Sequence, residues 1–110
     1  MIVLLPVTYK NQTFHAKLVS PGYASNGNAA LYLFKEGEPI DIPHGHVVST
    51  NGDVALPDDL ICIKNWNEYD GIEQPLIDAG IIEEYPVNYI PSGMVRVPVY
   101  ALTDKAIATL

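Results

Sequence analysis

The sequence predicts an α+β fold, a mainly antiparallel β-sheet with one short helix packed on it, in a single domain covering residues 1–110. Three observations lead there. Apolar residues come mostly in short runs rich in Val, Ile and Tyr, broken by Gly, Pro, Asn and Asp, as strands joined by tight turns do. One stretch alone combines helical spacing of apolar residues with end signals. At 110 residues, 48% apolar and 17% charged, the chain is long enough for one core, too short for two, and far from the composition of disordered chains.

Strands are expected at 2–8, 13–19, 30–35, 46–49, 60–64, 84–89 and 95–102. Tyr9-Lys10-Asn11-Gln12 separates the first two, a length suited to a hairpin. Residues 20–28, SPGYASNGN, are nearly all small or turn-forming and hold one aromatic, Tyr23, which reads as a flexible loop and a candidate binding tip. Glu36-Gly37 and Asn51-Gly52 signal tight turns between antiparallel neighbours. The helix is expected over 69–79, capped by Asn67 or Asp70, with Glu68 and Glu73 at its positive end and Gly80 where a left-handed C-cap is wanted. Ile72, Leu76 and Ile77 give it an apolar stripe, and Pro75 argues that it is short or begins close to the proline. The tail 103–110 reads equally as a last helical turn or a frayed end.

The formal charge is −7 and is unevenly placed. Residues 1–35 hold Lys10, Lys17 and Lys35 with no acid, whereas all thirteen acids lie from Glu36 onward beside Lys64, Arg96 and Lys105. Clustered cations for a phosphate backbone are missing, so nucleic acid is not the expected ligand. Basic strands pairing with acidic ones would explain the asymmetry; the alternative is an acidic face that meets a basic partner. The single cysteine, Cys62, excludes an intramolecular disulfide and sits in an apolar strand, which fits a reducing, cytoplasmic setting. The opening residues lack a basic leader and stop at Pro6, and no run approaches the ~18 apolar residues of a membrane span.

Catalytic signals are weak. His44-Gly45-His46 places two imidazoles one residue apart, where on an extended segment they project to one side and could share a metal, with His15, Asp41 or Asp53 as a third ligand. No HExxH or CxxC accompanies them, and two polar histidines in a loop after Pro43 is the simpler reading. An apolar strand is the wrong surrounding for a Cys62 thiolate, and Ser92-Gly93 lacks a nucleophile elbow. No cofactor is expected. Trp66 is read either as a plug at the core edge or as an exposed anchor, and Tyr23, Tyr69 and Tyr89 are the tyrosines in the most loop-like settings. The candidate binding surface is acidic and aromatic: Tyr23, Glu36, Glu38, Asp58, Asp59, Trp66, Glu68, Tyr69 and Asp70.

Gly37-Glu38-Pro39, Leu56-Pro57 ahead of Ile61-Cys62-Ile63-Lys64-Asn65-Trp66-Asn67-Glu68, Leu76-Ile77-Asp78-Ala79-Gly80-Ile81-Ile82-Glu83, and Pro91-Ser92-Gly93-Met94-Val95 with Pro98-Val99-Tyr100 carry a family resemblance. Over roughly residues 30–102 the chain resembles small uncharacterised accessory proteins of bacteriophages, plasmids and conjugative elements. Asn88 and Tyr89 stand where a basic residue is expected in such chains. The resemblance transfers no catalytic residue; it implies a small protein that binds and alters something in a bacterial host. The expectation is therefore a non-catalytic protein that antagonises a host defence or nucleic-acid-processing protein by occluding a basic surface, in the manner of a CRISPR inhibitor. Self-assembly through exposed strand edges, and sequestration of a small nucleotide signal, are the alternatives.

Overall fold

Lys10 and Asn11 turn the chain by themselves. The computed structural model describes residues 4–52, 54–66, 69–92 and 94–110. In it β1 (Leu5–Tyr9) and β2 (Gln12–Val19) are antiparallel with Tyr9 opposite Gln12. The hairpin loop is therefore two residues, with φ 50° at Lys10 and 62° at Asn11. Positive φ at both positions is what a turn matching the strand twist demands. Alternation along β1 and β2 puts Val7, Tyr9, Phe14, Ala16 and Leu18 inward. In β3 (Ala30–Lys35) Leu31 and Leu33 join that face, while Ala30 and Phe34 are also fully buried, so this strand is covered on both sides. Its cover is the segment after it, a 3-10 turn at Ile42–His44 followed by Gly45, where an added Cβ would come within 3.2 Å of the Phe34 ring.

The next strand serves two sheets. Its first part, β4 (His46–Val47), pairs with β3; its second, β5 (Ser49–Thr50), pairs with β6 (Leu60–Ile63). Val48 is the crossing point: its N–H donates to Leu31 O (3.0 Å) in the first sheet, and its C=O accepts from Lys64 N (2.8 Å) beside the second. Ser49 Oγ accepts the Leu31 N–H (2.9 Å) that the departing strand would otherwise leave unpaired. The two antiparallel sheets are ordered β1-β2-β3-β4 and β5-β6-β8-β7, with β7 at Asn88–Ser92 and β8 at Val95–Ala101. Ile61, Ile63, Tyr100 and Leu102 face the common core with Val48, and the reverse face of the second sheet carries a smaller cluster of Cys62, Ile90, Val97 and Val99.

Two short helices close the core. The first, α1 (Glu73–Asp78), is shorter than the expected 69–79 because Gly71 is at φ 74° and breaks the approach. Ile72 occupies the N-cap with no side-chain cap, so Asp70 does not cap it, and Asn67 and Glu68 lie outside the described residues. Pro75 falls in the first turn, where its missing N–H costs nothing. Gly80, at φ 75°, ends the helix as expected: its N–H reaches Ile77 O and that of Ile81 reaches Leu76 O, the paired bonds of a Schellman cap. Ile72 and Leu76 are fully buried, each contributing about 2 kcal/mol. The tail resolves as a second helix, α2 (Asp104–Ile107), capped by Thr103 Oγ1 on Ala106 N (3.0 Å), with Ala106 buried.

Two of the four outer strands, β1 and β7, are partly guarded. Pro6 and Thr8 of β1 face Pro75, Asp78 and Ala79 across a small cleft, so α1 lies along that edge. On β8, the Leu102 N–H to Asp59 O and Ala101 O to Glu83 N fix even-numbered residues toward β6 and odd-numbered ones toward β7. Through the β7 register, Tyr89 and Pro91 then point outward. Pro91 has no N–H, and that of Tyr89 is held by Asn88 Oδ1 (2.8 Å). The strand expected at 84–89 has thus moved to Asn88–Ser92, where β8 partners exist. Ile2 and Val3 of the first expected strand lie outside the described residues.

The loop expected to be flexible is instead cross-linked. Asn28 is buried, and its Nδ2 donates to Asn51 O (2.8 Å) and Val54 O (2.6 Å) while its Oδ1 accepts from Leu56 N (2.8 Å). Its own C=O accepts from Gly22 N and Tyr23 N, and its N–H donates to Asn26 Oδ1. Every polar group of Asn28 is used, and it ties residues 20–28 to 51–56. Gly52 sits beneath this knot at φ 68°, where an added Cβ would lie 2.6 Å from Ile90 Cδ1 and 2.7 Å from Cys62 Sγ.

Asn28→Asp replaces a double donor with an acceptor facing two carbonyls, and is expected to lower stability by about 3 kcal/mol, read from urea unfolding. Gly52→Ala is expected to cost about 2–3 kcal/mol from backbone strain plus overpacking. Gly80→Ala, where the Cβ meets only Lys105 at ordinary contact distance, should cost about 1 kcal/mol in the same assay.

Candidate functional site

None of the eight strands contains Asp or Glu. Basic strands therefore do not pair with acidic ones, contrary to that reading of the charge asymmetry. The described acids sit in turns, loops and helices, where a carboxylate keeps its water and no ladder crowds it. Lys17 and Lys35 project from the strands of the first sheet, and Lys10 from its hairpin turn. Charge is thus sorted by structural role.

Eight of the nine candidate surface residues lie among those described, and they are carried by several separate segments. Asp58 and Asp59 are exposed in the turn before β6, and Trp66, Tyr69 and Asp70 follow its other end. Trp66 is half-buried and packs with Leu56 and Leu60 on the Cys62 cluster, so it plugs the edge of a core. Tyr23 is half-buried, its hydroxyl 3.0 Å from Ser49 Oγ and its pKa raised chiefly by burial, which makes it part of the crossing between sheets. Glu36 is exposed in the turn after β3; Glu38, two residues on, is folded back. Glu38 Oε1 accepts the Lys35 N–H and lies 3.2 Å from His46 Nε2, and the Lys35 N–H is the main cause holding its carboxyl below the usual range. Glu68 lies outside the described residues.

The two histidines do not share a site. His44 ends the 3-10 turn, so the segment is not extended there, and its Nδ1 pairs with Asp41; His46 opens β4 and pairs with Glu38. Among the described residues no group of three His, Cys, Asp or Glu is placed to hold a metal. Cys62 is buried in β6, and burial pushes its thiol up to about 11. Among the described residues no helix is long and apolar enough to cross a membrane.

What the sequence reading missed lies at the C-terminal hairpin. Eight large hydrophobic residues are exposed among those described, and five of them, Tyr85, Val87, Tyr89, Met94 and Val95, fall between 85 and 95. Met94 is fully exposed near the tip and Tyr85 is 74% exposed. Glu83 and Glu84, both exposed, lead into this segment, and the Arg96 guanidinium lies over the Tyr89 ring at 5.6 Å. Tyr89 alone carried a signal, as a tyrosine in a loop-like setting; Tyr85, Val87 and Val95 read as strand residues and Met94 as part of a turn, and sequence does not tell a strand's outer face from its inner one. Side chains of this size and exposure, concentrated on one hairpin and the segment leading into it and preceded by two acids, have the composition of a contact surface.

Cys62 is expected to be inert in the folded protein. With its thiol at about 11, the thiolate fraction at pH 8 falls roughly 100-fold against an exposed thiol, and burial slows access further. Alkylation followed by mass spectrometry should show labelling only in denaturant.

The chain matches no family model, no curated protein and no solved structure.

Proposed function

We propose that this protein is a non-catalytic binding protein that works by covering a surface of a partner protein, with residues 83–95 as the contact. The observation that carries the reading is the concentration of exposed Tyr85, Val87, Tyr89, Met94 and Val95 directly after Glu83-Glu84. Aromatic and Met side chains anchor interfaces, and a rim of acids selects a partner whose own rim is basic. A net charge of −7 with the carboxylates carried outside the strands suits approach to a cationic surface such as a nucleic-acid-binding channel. Occlusion of such a channel in a host defence or nucleic-acid-processing protein is the activity proposed, in the cytoplasm of a bacterial host. The resemblance to mobile-element accessory proteins supports that context.

The test is a tagged pull-down from a bacterial host, run with the wild-type chain and with a Tyr85→Ser, Tyr89→Ser, Met94→Ser triple variant at low and high salt. All three positions are exposed, so each substitution should change stability by no more than about 0.5 kcal/mol. One nucleic-acid-processing partner is expected with the wild type, reduced about tenfold or more in the variant and weakened by salt. Equal recovery by both chains sinks the hairpin as the contact, and recovery of the bait alone sinks the antagonist reading.

A further inference from the structure

The exposed residues of the C-terminal hairpin do not lie on one side of it. Side chains directly opposite one another in an antiparallel ladder share a face. Tyr89 is opposite Pro98 and Pro91 opposite Arg96, on the face that Tyr100 turns to the common core. Ile90 is opposite Val97 and Ser92 opposite Val95, so Val95 stands on the other face, that of the Cys62 cluster. Cover ends part-way along each face. Pro98, Ile90 and Val97 are buried, whereas Tyr89 is 48% and Val95 38% exposed, and Met94, between the paired Ser92 and Val95, is fully exposed. Exposed apolar side chains are thus carried by one face, by the tip and by the other face.

A flat partner covers only one of these faces. Two strands side by side with their side chains make a blade about 10 Å thick, the spacing at which sheets stack, so a surface that covers both faces at once is a slot of that width. Charge follows the same axis. The Glu83 N–H donates to Ala101 O (2.9 Å), at the end of β8 remote from Val95, which sets the Glu83-Glu84 pair roughly 20 Å behind the tip at the rise of a strand. The acids then meet the mouth of the slot and the apolar residues its depth, the division between rim and core found in specific interfaces. Arg96 is the exception within the blade. Its guanidinium lies 5.6 Å from the Tyr89 ring centroid and goes in with that ring, so the facing wall has to offer an acceptor, because a buried unpaired cation is costly.

Resting on the reading of residues 83–95 as the contact, we propose that the hairpin enters its partner as a wedge. The partner's site is an apolar slot about 10 Å wide, with a basic mouth for Glu83 and Glu84 and a hydrogen-bond acceptor for Arg96 in one wall.

The test is hydroxyl-radical footprinting of the full chain, free and in the complex recovered by the pull-down, with oxidation read residue by residue by mass spectrometry. Oxidation of Met94 is expected to fall about tenfold in the complex, and Tyr89 and Val95, on opposite faces, are both expected to be protected. The single variants Tyr89→Ser and Val95→Ser, each at an exposed position, should each lower recovery about fivefold or more. Protection of Tyr89 with Val95 still oxidised at its free rate, or the reverse, overturns the slot and leaves the hairpin contact standing, as does full recovery by either single variant. A complex in which none of the three residues is protected, or recovery of the bait alone, fells the contact reading and the slot with it.

Discussion

The whole architecture turns on one residue's backbone. Val48 gives its N–H to one sheet and its C=O to the other, so a single strand is shared between two four-stranded sheets. Such a crossing strands a donor on the sheet it leaves, and Ser49 Oγ supplies the acceptor for Leu31 N. Tyr23 then settles on that hydroxyl and Asn28 ties down the loops on either side. This polar seam runs beside the core that Val48 shares with Leu31, Ile61 and Ile63, and its satisfied bonds favour one arrangement of the two sheets.

The seam also explains where function can reside. Residues 20–28 look like a flexible loop, but Tyr23, Asn26 and Asn28 are tied by their side chains to residues 49–56. Two surfaces stand out, one at each end of the chain's path. The first hairpin, with Lys10 at its turn, borders a cleft walled by Phe14 and Leu33; the last hairpin carries apolar side chains behind a pair of acids. With acids excluded from every strand, each surface keeps its own character.

Much of the fold is legible in the sequence. Ala30–Lys35 is found as expected, because a run buried on both faces is apolar at every position but its last. Gly80 is legible for the same kind of reason, since a residue at φ 75° in a Schellman cap leaves a strong local mark. The two-residue turn at Lys10-Asn11 is less so, because neither residue is the Gly that advertises positive φ. The Asn28 knot is not legible at all: its partners are backbone groups some 23 to 28 residues away, and backbone groups leave no trace in a sequence. The candidate surfaces fail to appear for a related reason. Tyr85 and Met94 differ from core residues only in what happens not to cover them.

The guarded edge at β7 gives the exposed hairpin an unusual pairing of properties. Its side chains are apolar and exposed, yet Pro91 and the Asn88 side chain take two outward N–H donors out of play. Surfaces this apolar on an open strand ordinarily stack copy upon copy into fibres as a protein accumulates. Along β7 the two outward donors are removed, so a second copy meets fewer backbone groups with which to extend the sheet.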